Sequence, residues 1–269
     1  MKNVIFFDID GTLVDVQRGL VEPSFYTKYA VRQLIDKGNI VIIATGRYIG
    51  NINPNIKALN PNGYICANGA YIEYDGKLLF EDPIKKEYLD DLMKFCKENK
   101  CLFTCESRDI MYTPAFDDFT LDFIEKWKLP RDLITDDYGD RHYYKCNIDT
   151  KDKNLSKIFE EKFKDRFDCR IQTAGISGGF TYDVNVIGTN KGNGVRVFLE
   201  KMGIDKDNTY CFCDGTNDLE LVKACKYSYV MKNGDEGLKK IAYGVCESSI
   251  DDGIYKKLVE LKLIDAYKG

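Results

Sequence analysis

An α/β fold is predicted, a mostly parallel sheet carrying an inserted α+β module, and three observations predict it. Short apolar runs at 4–7, 39–44 and 210–213 each end in acids or in a Gly-Thr or Thr-Gly turn. Helical periodicity separates the first two of these runs and precedes the third, as in strand–helix–strand units. From about residue 82 to residue 186 the texture changes, with more polar and more aromatic segments. The core is therefore assigned to 1–81 and 187–269, and the insertion to 82–186.

The first strand and its turn read Val4-Ile5-Phe6-Phe7-Asp8-Ile9-Asp10-Gly11-Thr12-Leu13. Strand periodicity aims Asp8 and Asp10 the same way, with Asp8 near the strand end and Asp10 in the turn. Like charges this close repel unless a cation or a shared proton intervenes. The pair therefore points to a hard metal ion with oxygen ligands, most simply Mg2+. Gly11 and Thr12 present backbone N–H groups in a tight turn, a geometry suited to an anion.

Residues 24–37 read as a helix with Val31, Leu34 and Ile35 on one face and Gly38 as its terminator. The continuous apolar run at 39–44 suits a central parallel strand buried on both faces. It ends in Thr45-Gly46-Arg47, at the same sheet edge as Asp8 and Asp10, where open α/β sheets bind ligands. The Thr45 hydroxyl and the Gly46 N–H are good phosphate donors. Residues 64–67 form another strand, and Asp75-Gly76 marks a hairpin between 71–74 and 77–80.

In the insertion, helices are expected at 85–99 and 151–165. Strands are expected near 101–105, 143–148, 167–173 and 180–186. After it, Gly188-Thr189-Asn190-Lys191-Gly192 opens a helix. A lysine there opposes the macrodipole, and a nearby anion explains it. Taken in isolation, the segment reads as a solvated surface lysine. The last strand carries Cys213-Asp214-Gly215-Thr216-Asn217-Asp218 at its tip. Asp8, the Asp10 main-chain carbonyl and Asp214 make three oxygen ligands for Mg2+, and Asp218 is a further ligand or an orienting group.

Composition narrows the function. The chain has 269 residues, of which 44% are hydrophobic and 30% charged, and its formal net charge of −4 argues against nucleic acid as a partner. No apolar run reaches the length of a membrane span. The chain opens on a core strand, so no signal peptide is expected and the location is read as cytoplasmic. The ten cysteines lack C-x-x-C spacing and read as buried free thiols, not as disulfides or a zinc site. His142 is the only histidine, so histidine-dependent hydrolysis is disfavoured.

Together these strings resemble the motifs of the haloacid dehalogenase superfamily, in order: Asp8-Ile9-Asp10-Gly11-Thr12, Thr45-Gly46-Arg47, Lys191-Gly192 and Asp214-Gly215-Thr216-Asn217-Asp218. Ala67-Asn68-Gly69-Ala70, Asn233-Gly234-Asp235 and Asp252-Gly253-Ile254 resemble strings of its Cof-like branch, subfamily IIB. The one departure is Cys213, where relatives usually carry Gly. The resemblance covers nearly the whole chain. It implies a Rossmann-like core with a cap of type C2B, and a Mg2+-dependent phosphatase acting on small phosphorylated metabolites, sugar phosphates foremost.

The resemblance also implies roles. Asp8 is the nucleophile that forms an aspartyl-phosphate, and Asp10 is the general acid and base. Gly11, Thr12, Thr45, Gly46, Lys191 and Asn217 hold the phosphate and its surroundings, and Asp8, Asp10, Asp214 and Asp218 serve the metal. Arg47 meets substrate, cap or solvent. Arg108, Lys145 and Tyr182 are conceivable cap contacts. A phosphomutase using the same intermediate and a non-catalytic phosphosugar-binding regulator are the competing readings. No membrane or protein partner is implied.

Overall fold

The structure is a computed structural model that describes residues 2–174 and 180–269. These residues form two compact units, one of 1–46, 52–81 and 190–269, the other of 47–51 and 82–189.

The first unit begins with β1 (Val4–Phe7), α1 (Phe25–Asp36), β2 (Ile40–Ala44), the short α2 (Pro54–Lys57), β3 (Gly63–Cys66), β4 (Tyr71–Tyr74) and β5 (Lys77–Glu81). The second unit follows as α3 (Lys86–Asn99), β6 (Leu102–Glu106), β7 (Met111–Tyr112), α4 (Asp118–Lys126), β8 (Ile134–Thr135), β9 (Lys145–Thr150), α5 (Lys153–Phe163), β10 (Phe167–Ala174) and β11 (Phe180–Val186). The chain returns to the first unit with α6 (Lys191–Met202), β12 (Thr209–Cys213), α7 (Leu219–Ala224), β13 (Tyr227–Met231), α8 (Glu236–Ile241), β14 (Gly244–Cys246) and α9 (Gly253–Glu260).

The first unit's sheet has the order β14-β13-β12-β1-β2-β3-β4-β5. It is parallel from β14 to β3 and antiparallel through β4 and β5. From β1 the chain moves outward through β2 and β3, and after the insertion it returns on the other side of β1 as β12. The strand order therefore reverses between β1 and β12, the crevice where such sheets take ligands.

β1 and β2 lie buried on both faces, which is why their sequences run apolar without alternation. Val4, Phe6, Ile40 and Ile42 join Val195, Phe198 and Leu199 of α6 in one core cluster, while Ile5, Phe7, Val41 and Ile43 are equally buried from the opposite face. Phe7 stacks on Phe212 across the β1–β12 pair, which adds geometric specificity to the area buried. Cys213 ends β12 with its side chain in the core cluster, so a small thiol is accommodated where relatives carry Gly.

Local signals explain the ends of α1. Ser24 Oγ accepts the Thr27 N–H at 3.1 Å and donates to Asp252 Oδ1 at 2.6 Å, tying the helix start to the start of α9. Gly38, at φ +80°, turns the chain into β2. Asp75 and Gly76, both at positive φ, make the tight β4–β5 hairpin.

The second unit is a six-stranded sheet, β10-β11-β9-β6-β7-β8. Residues of α3 and α5 cluster with one of its faces, among them Leu92, Phe95, Phe159 and Phe163 beside Phe103, Cys146, Ile148 and Tyr182. The expected helices at 85–99 and 151–165 are present as α3 and α5. The sequence reading had no counterpart for α4, β7 or β8. Residues 47–51 also differ from the expected boundary. Tyr48 is buried with Leu102, Met111, Phe123, Ile124 and Ile134, and the Gly50 N–H donates to the Arg108 carbonyl at 3.0 Å. Burial of one aromatic side chain, worth roughly 1.5–3 kcal/mol, draws this short segment into the second unit.

Candidate active site

Three segments of the first unit bring acids and one lysine together at the β1–β12 crevice. Register aligns Phe7 with Phe212 and with Ile43, so Asp8 leaves the sheet between the ends of β12 and β2. The Asp8 N–H donates to the Phe212 carbonyl at 3.0 Å, which extends the pairing to the acid itself. Asp214 follows β12, and Asp218 sits just before α7.

Lys191 opens α6 and is 1% exposed. Its Nζ donates to Asp8 Oδ1 at 2.5 Å and to Asp218 Oδ1 at 2.6 Å. The solvated surface lysine of the isolated reading is thus corrected. A short-range pattern carries no record of burial, and here two carboxylates, themselves buried, hold the ammonium. Its placement depends on Gly192. A Cβ on this residue would lie 2.2 Å from the Glu220 carbonyl oxygen, so only glycine lets the first turn of α6 meet α7 this closely.

Both oxygens of Asp218 are committed, Oδ1 to Lys191 and Oδ2 to the Gly215 N–H at 3.0 Å and the Asp214 N–H at 3.4 Å. Asp218 thus positions the lysine and shapes the loop that carries Asp214. Asp214 Oδ1 accepts the Thr12 hydroxyl at 2.8 Å. The Asp214 carbonyl accepts the Asp235 N–H at 2.8 Å, and Asn233 Nδ2 donates to the Gly11 carbonyl at 2.8 Å. The 233–235 string therefore buttresses both acid-bearing turns, a role that the sequence reading did not give it.

The expectation that Gly11 and Thr12 lend their N–H groups to an anion is corrected. Gly11 donates to the Val14 carbonyl at 2.7 Å and Thr12 to the Ile9 carbonyl at 3.3 Å, so the turn uses both to close on itself. Their places are fixed for other reasons. Gly11 has φ +86°, and a Cβ there would lie 2.0 Å from Asp214 Oδ2. Thr12 is buried and serves through its hydroxyl.

Thr45 is buried at the end of β2. Its N–H donates to the Ile65 carbonyl at 2.8 Å, and its carbonyl accepts the Asn68 N–H at 3.2 Å. Asp10 and Asn217 are exposed on their turns. Arg47 belongs to the second unit, where Nη1 donates to the Asn51 carbonyl at 3.2 Å.

Of the other second-unit candidates, Tyr182 is wholly buried in the helix-facing core, a packing position. Lys145 is buried between Glu106, at 3.3 Å, and Asp183, at 3.2 Å. Arg108 pairs with Asp109 at the surface.

The electrostatics follow from burial and crowding. Burial pushes the Asp8 carboxyl well above its ordinary range. The Lys191 ammonium opposes that shift, while Asp218, Asp214 and Asp10 add to it. Burial likewise lifts Asp214 to about 6, against the pull of the Thr12 hydrogen bond. Lys191 is raised. Burial works against its charge, but Asp218 and then Asp8 more than compensate.

Oxygens of Asp8, Asp214 and Asp218 lie within 4.8 Å of one another. Three carboxylates around one ammonium leave an excess of negative charge on hard oxygen donors, the donor set that suits a small divalent cation. The residues present therefore fit a metal ion of this kind, with Asp8 and Asp214 each spending one oxygen on the protein and Asp218 both. No helix among the described residues is long and apolar enough to cross a membrane.

Comparison with known proteins identifies the family. The family model for haloacid dehalogenase-like hydrolases matches residues 5–258. The chain is similar to YkrA of Bacillus subtilis, provisionally named a phosphatase, at 28% identity over 98% of this chain and 99% of that one. It is also similar to the 5-amino-6-(5-phospho-D-ribitylamino)uracil phosphatase YcsE of the same organism, at 23% identity over 95% and 94%.

Among solved structures, a hypothetical protein from Geobacillus kaustophilus superposes with a TM-score of 0.88 at 26% identity, covering 98% of this chain and all of that one. The subclass IIB sugar phosphatase BT4131 shares the fold, with a TM-score of 0.78 at 22% identity over 98% of this chain and all of the other. With its α/β core, its inserted unit and its four motif segments in order, the chain belongs to the haloacid dehalogenase-like hydrolases, in their Cof-like branch.

Proposed function

We propose that the protein is a Mg2+-dependent phosphatase that hydrolyses small phosphomonoesters, sugar phosphates foremost, through an aspartyl-phosphate on Asp8. The observation that carries this reading is Lys191, fully buried and held between Asp8 and Asp218 beside Asp214. A buried lysine among three acids is poor design for stability alone, because each ion loses its hydration. It is good design for a site that must receive a phosphate dianion next to a carboxylate nucleophile.

Each residue has a defined task. The Asp8 carboxylate attacks phosphorus, and the bond to the leaving alkoxide breaks. Burial favours the protonated, unreactive form of Asp8, and Lys191 is the group that pulls it back toward the carboxylate. Asp10 gives its proton to the alkoxide and then takes one from the water that releases phosphate. Thr45 and the Gly46 N–H hold phosphoryl oxygens, Lys191 offsets their charge, and Asn217 orients the surroundings of Lys191 and Asp214. Asp8, the Asp10 main-chain carbonyl and Asp214 hold Mg2+, which when bound neutralises charge on the phosphate and on the acids. Asp218 orients Lys191 and Asp214.

The inserted second unit is the part of the chain that selects the substrate. Relatives named for a 5-phospho-D-ribityl compound and for sugar phosphates favour a phosphate ester on a polyhydroxylated chain.

The test is phosphate release from a panel of phosphorylated metabolites, sugar and ribityl phosphates included, with Mg2+ and with chelator. The expected result is Mg2+-dependent release from a few related polyol phosphates. No release from any member by folded, Mg2+-supplied protein would overturn the reading.

A further inference from the structure

We propose that Cys96 and Cys101 form an oxidisable dithiol, a modification site at the C-terminal cap of α3. It closes to an intramolecular disulfide when Cys101 meets a hydroperoxide.

The geometry comes from how the helix ends. Lys100 takes the left-handed conformation at φ +54°. The Cys101 N–H donates back to the Cys96 carbonyl at 2.9 Å, and the Lys100 N–H to the Lys97 carbonyl at 3.5 Å. This pair of bonds defines a Schellman cap, which lays the side chain two places past the helix on the side chain one turn inside it. Here those side chains are Cys101 and Cys96. Cys96 is a buried member of the second unit's core cluster, and Cys101 packs against that cluster. A disulfide needs Cα atoms about 4.4–6.8 Å apart, and the Cys101 N–H bond to the Cys96 carbonyl holds these two backbones close together. Closure therefore asks for side-chain rotation and not for movement of the helix.

The two thiols are unequal in the way that a stepwise oxidation needs. Cys101 is partly exposed, and its Sγ lies 3.9 Å from the Asn99 carbonyl oxygen; Cys96 is buried. The Cys101 thiol is made more acidic by its hydrogen bond with Cys96, and Thr150 adds to this against the effect of burial. Cys96 moves the other way.

Cys169, the other partly exposed cysteine, is the internal contrast, since burial pushes it up to about 12. Cys105 and Cys146 also face each other, as cross-strand partners, but both are buried and have no access to oxidant.

The Cys101 thiolate attacks one peroxide oxygen. An S–O bond forms, the O–O bond breaks, and hydroxide or alkoxide leaves to take up a proton. The Cys96 sulfur then attacks the Cys101 sulfur. The S–S bond forms, the S–O bond breaks, and the hydroxyl leaves as water with the Cys96 proton. Two thiols lose two electrons in all, and the peroxide gains them.

The full chain, fully reduced, is treated with one equivalent of hydrogen peroxide, unfolded in N-ethylmaleimide, digested and mapped by mass spectrometry. The expected product links Cys96 to Cys101 and carries maleimide on the other eight cysteines, and a thiol reductant reverses it. Cys101 is consumed at least about tenfold faster than Cys169. In Cys96→Ser, oxidation stops at a Cys101 sulfenic acid that dimedone traps, and in Cys101→Ser, Cys96 keeps its maleimide. Maleimide on both Cys96 and Cys101 of the natural chain after peroxide, or oxidation that starts at Cys169, would overturn the proposal.

Discussion

Both units bury a lysine between two carboxylates, and the two clusters are built in opposite ways. In the second unit, Glu106 and Lys145 are direct cross-strand partners on β6 and β9, and Asp183 lies on the neighbouring β11. Asn147 adds an amide at 2.9 Å to Glu106. That cluster is a ladder written by sheet register, and its ion pairs are 3.2 and 3.3 Å long. In the first unit, Asp8, Lys191, Asp214 and Asp218 come from four separate strand ends and helix starts, and the pairs are 2.5 and 2.6 Å long. A further acid stands beside the bridge, within metal-ligand reach.

A ladder of charges along strands satisfies its own members through sheet register. Charges that converge from loop ends, with acid in excess, call for a ligand to balance them.

The sharpest way to break this comparison is Asp8→Asn. It should lower phosphatase turnover by at least about 10⁴-fold in a protein that still melts cooperatively. Full activity in that variant would remove the nucleophile from the account.

The next test sets the two lysines against each other. Lys191→Met should abolish turnover. Lys145→Met should destabilise the second unit by about 3 kcal/mol, because it strands the buried Glu106 and the half-buried Asp183, while a small artificial ester such as p-nitrophenyl phosphate is still hydrolysed below the melting temperature. Equal loss of catalysis in both would erase the distinction.

Thr12→Val sharpens the first cluster. Without the hydroxyl, Asp214 rises further above its usual range, and Mg2+ affinity should fall about 10–100-fold by titration. The sign with pH follows. Because Asp214 sits at about 6 when folded against 3.8 ordinarily, the folded metal-free protein binds this proton more tightly than the unfolded chain. The group's contribution to stability therefore falls as pH rises from about 4 to about 6. Mg2+ competes with that proton, so the rise in melting temperature on adding Mg2+ should be large at pH 7.5 and small at pH 5. In Thr12→Val this transition should move to higher pH.

The smallest effect is expected away from both clusters. Ser24→Ala removes the cap of α1 and should cost about 1 kcal/mol with turnover unchanged.

Much of this was legible in the sequence because the information is local. Apolar runs ending in acids placed β1 and β12, a run ending in Thr45-Gly46 placed β2, and Asp75-Gly76 placed a hairpin. What was hidden depends on contacts between residues far apart in the chain. The Thr12 hydroxyl meets Asp214 across 202 positions, and no window around Thr12 records that partner. The same holds for the Asn233 bond to Gly11, for the burial of Lys191 and for the capture of Tyr48 by the second unit. The omission of α4 is different in kind. Asp117 accepts the Thr120 N–H at 2.9 Å as its cap, and Phe123 and Ile124 sit on its buried side, a start signal and a periodicity that local reading can find.

In the proposed reaction phosphate passes through Asp8. The most direct measurement is rapid quenching of the Mg2+-loaded protein during turnover, followed by borohydride reduction and peptide mapping. An aspartyl-phosphate is reduced to homoserine, so the account predicts homoserine at position 8 that appears only when substrate is present. Unmodified aspartate at position 8 during active turnover, or a phosphorylated residue elsewhere, would contradict it.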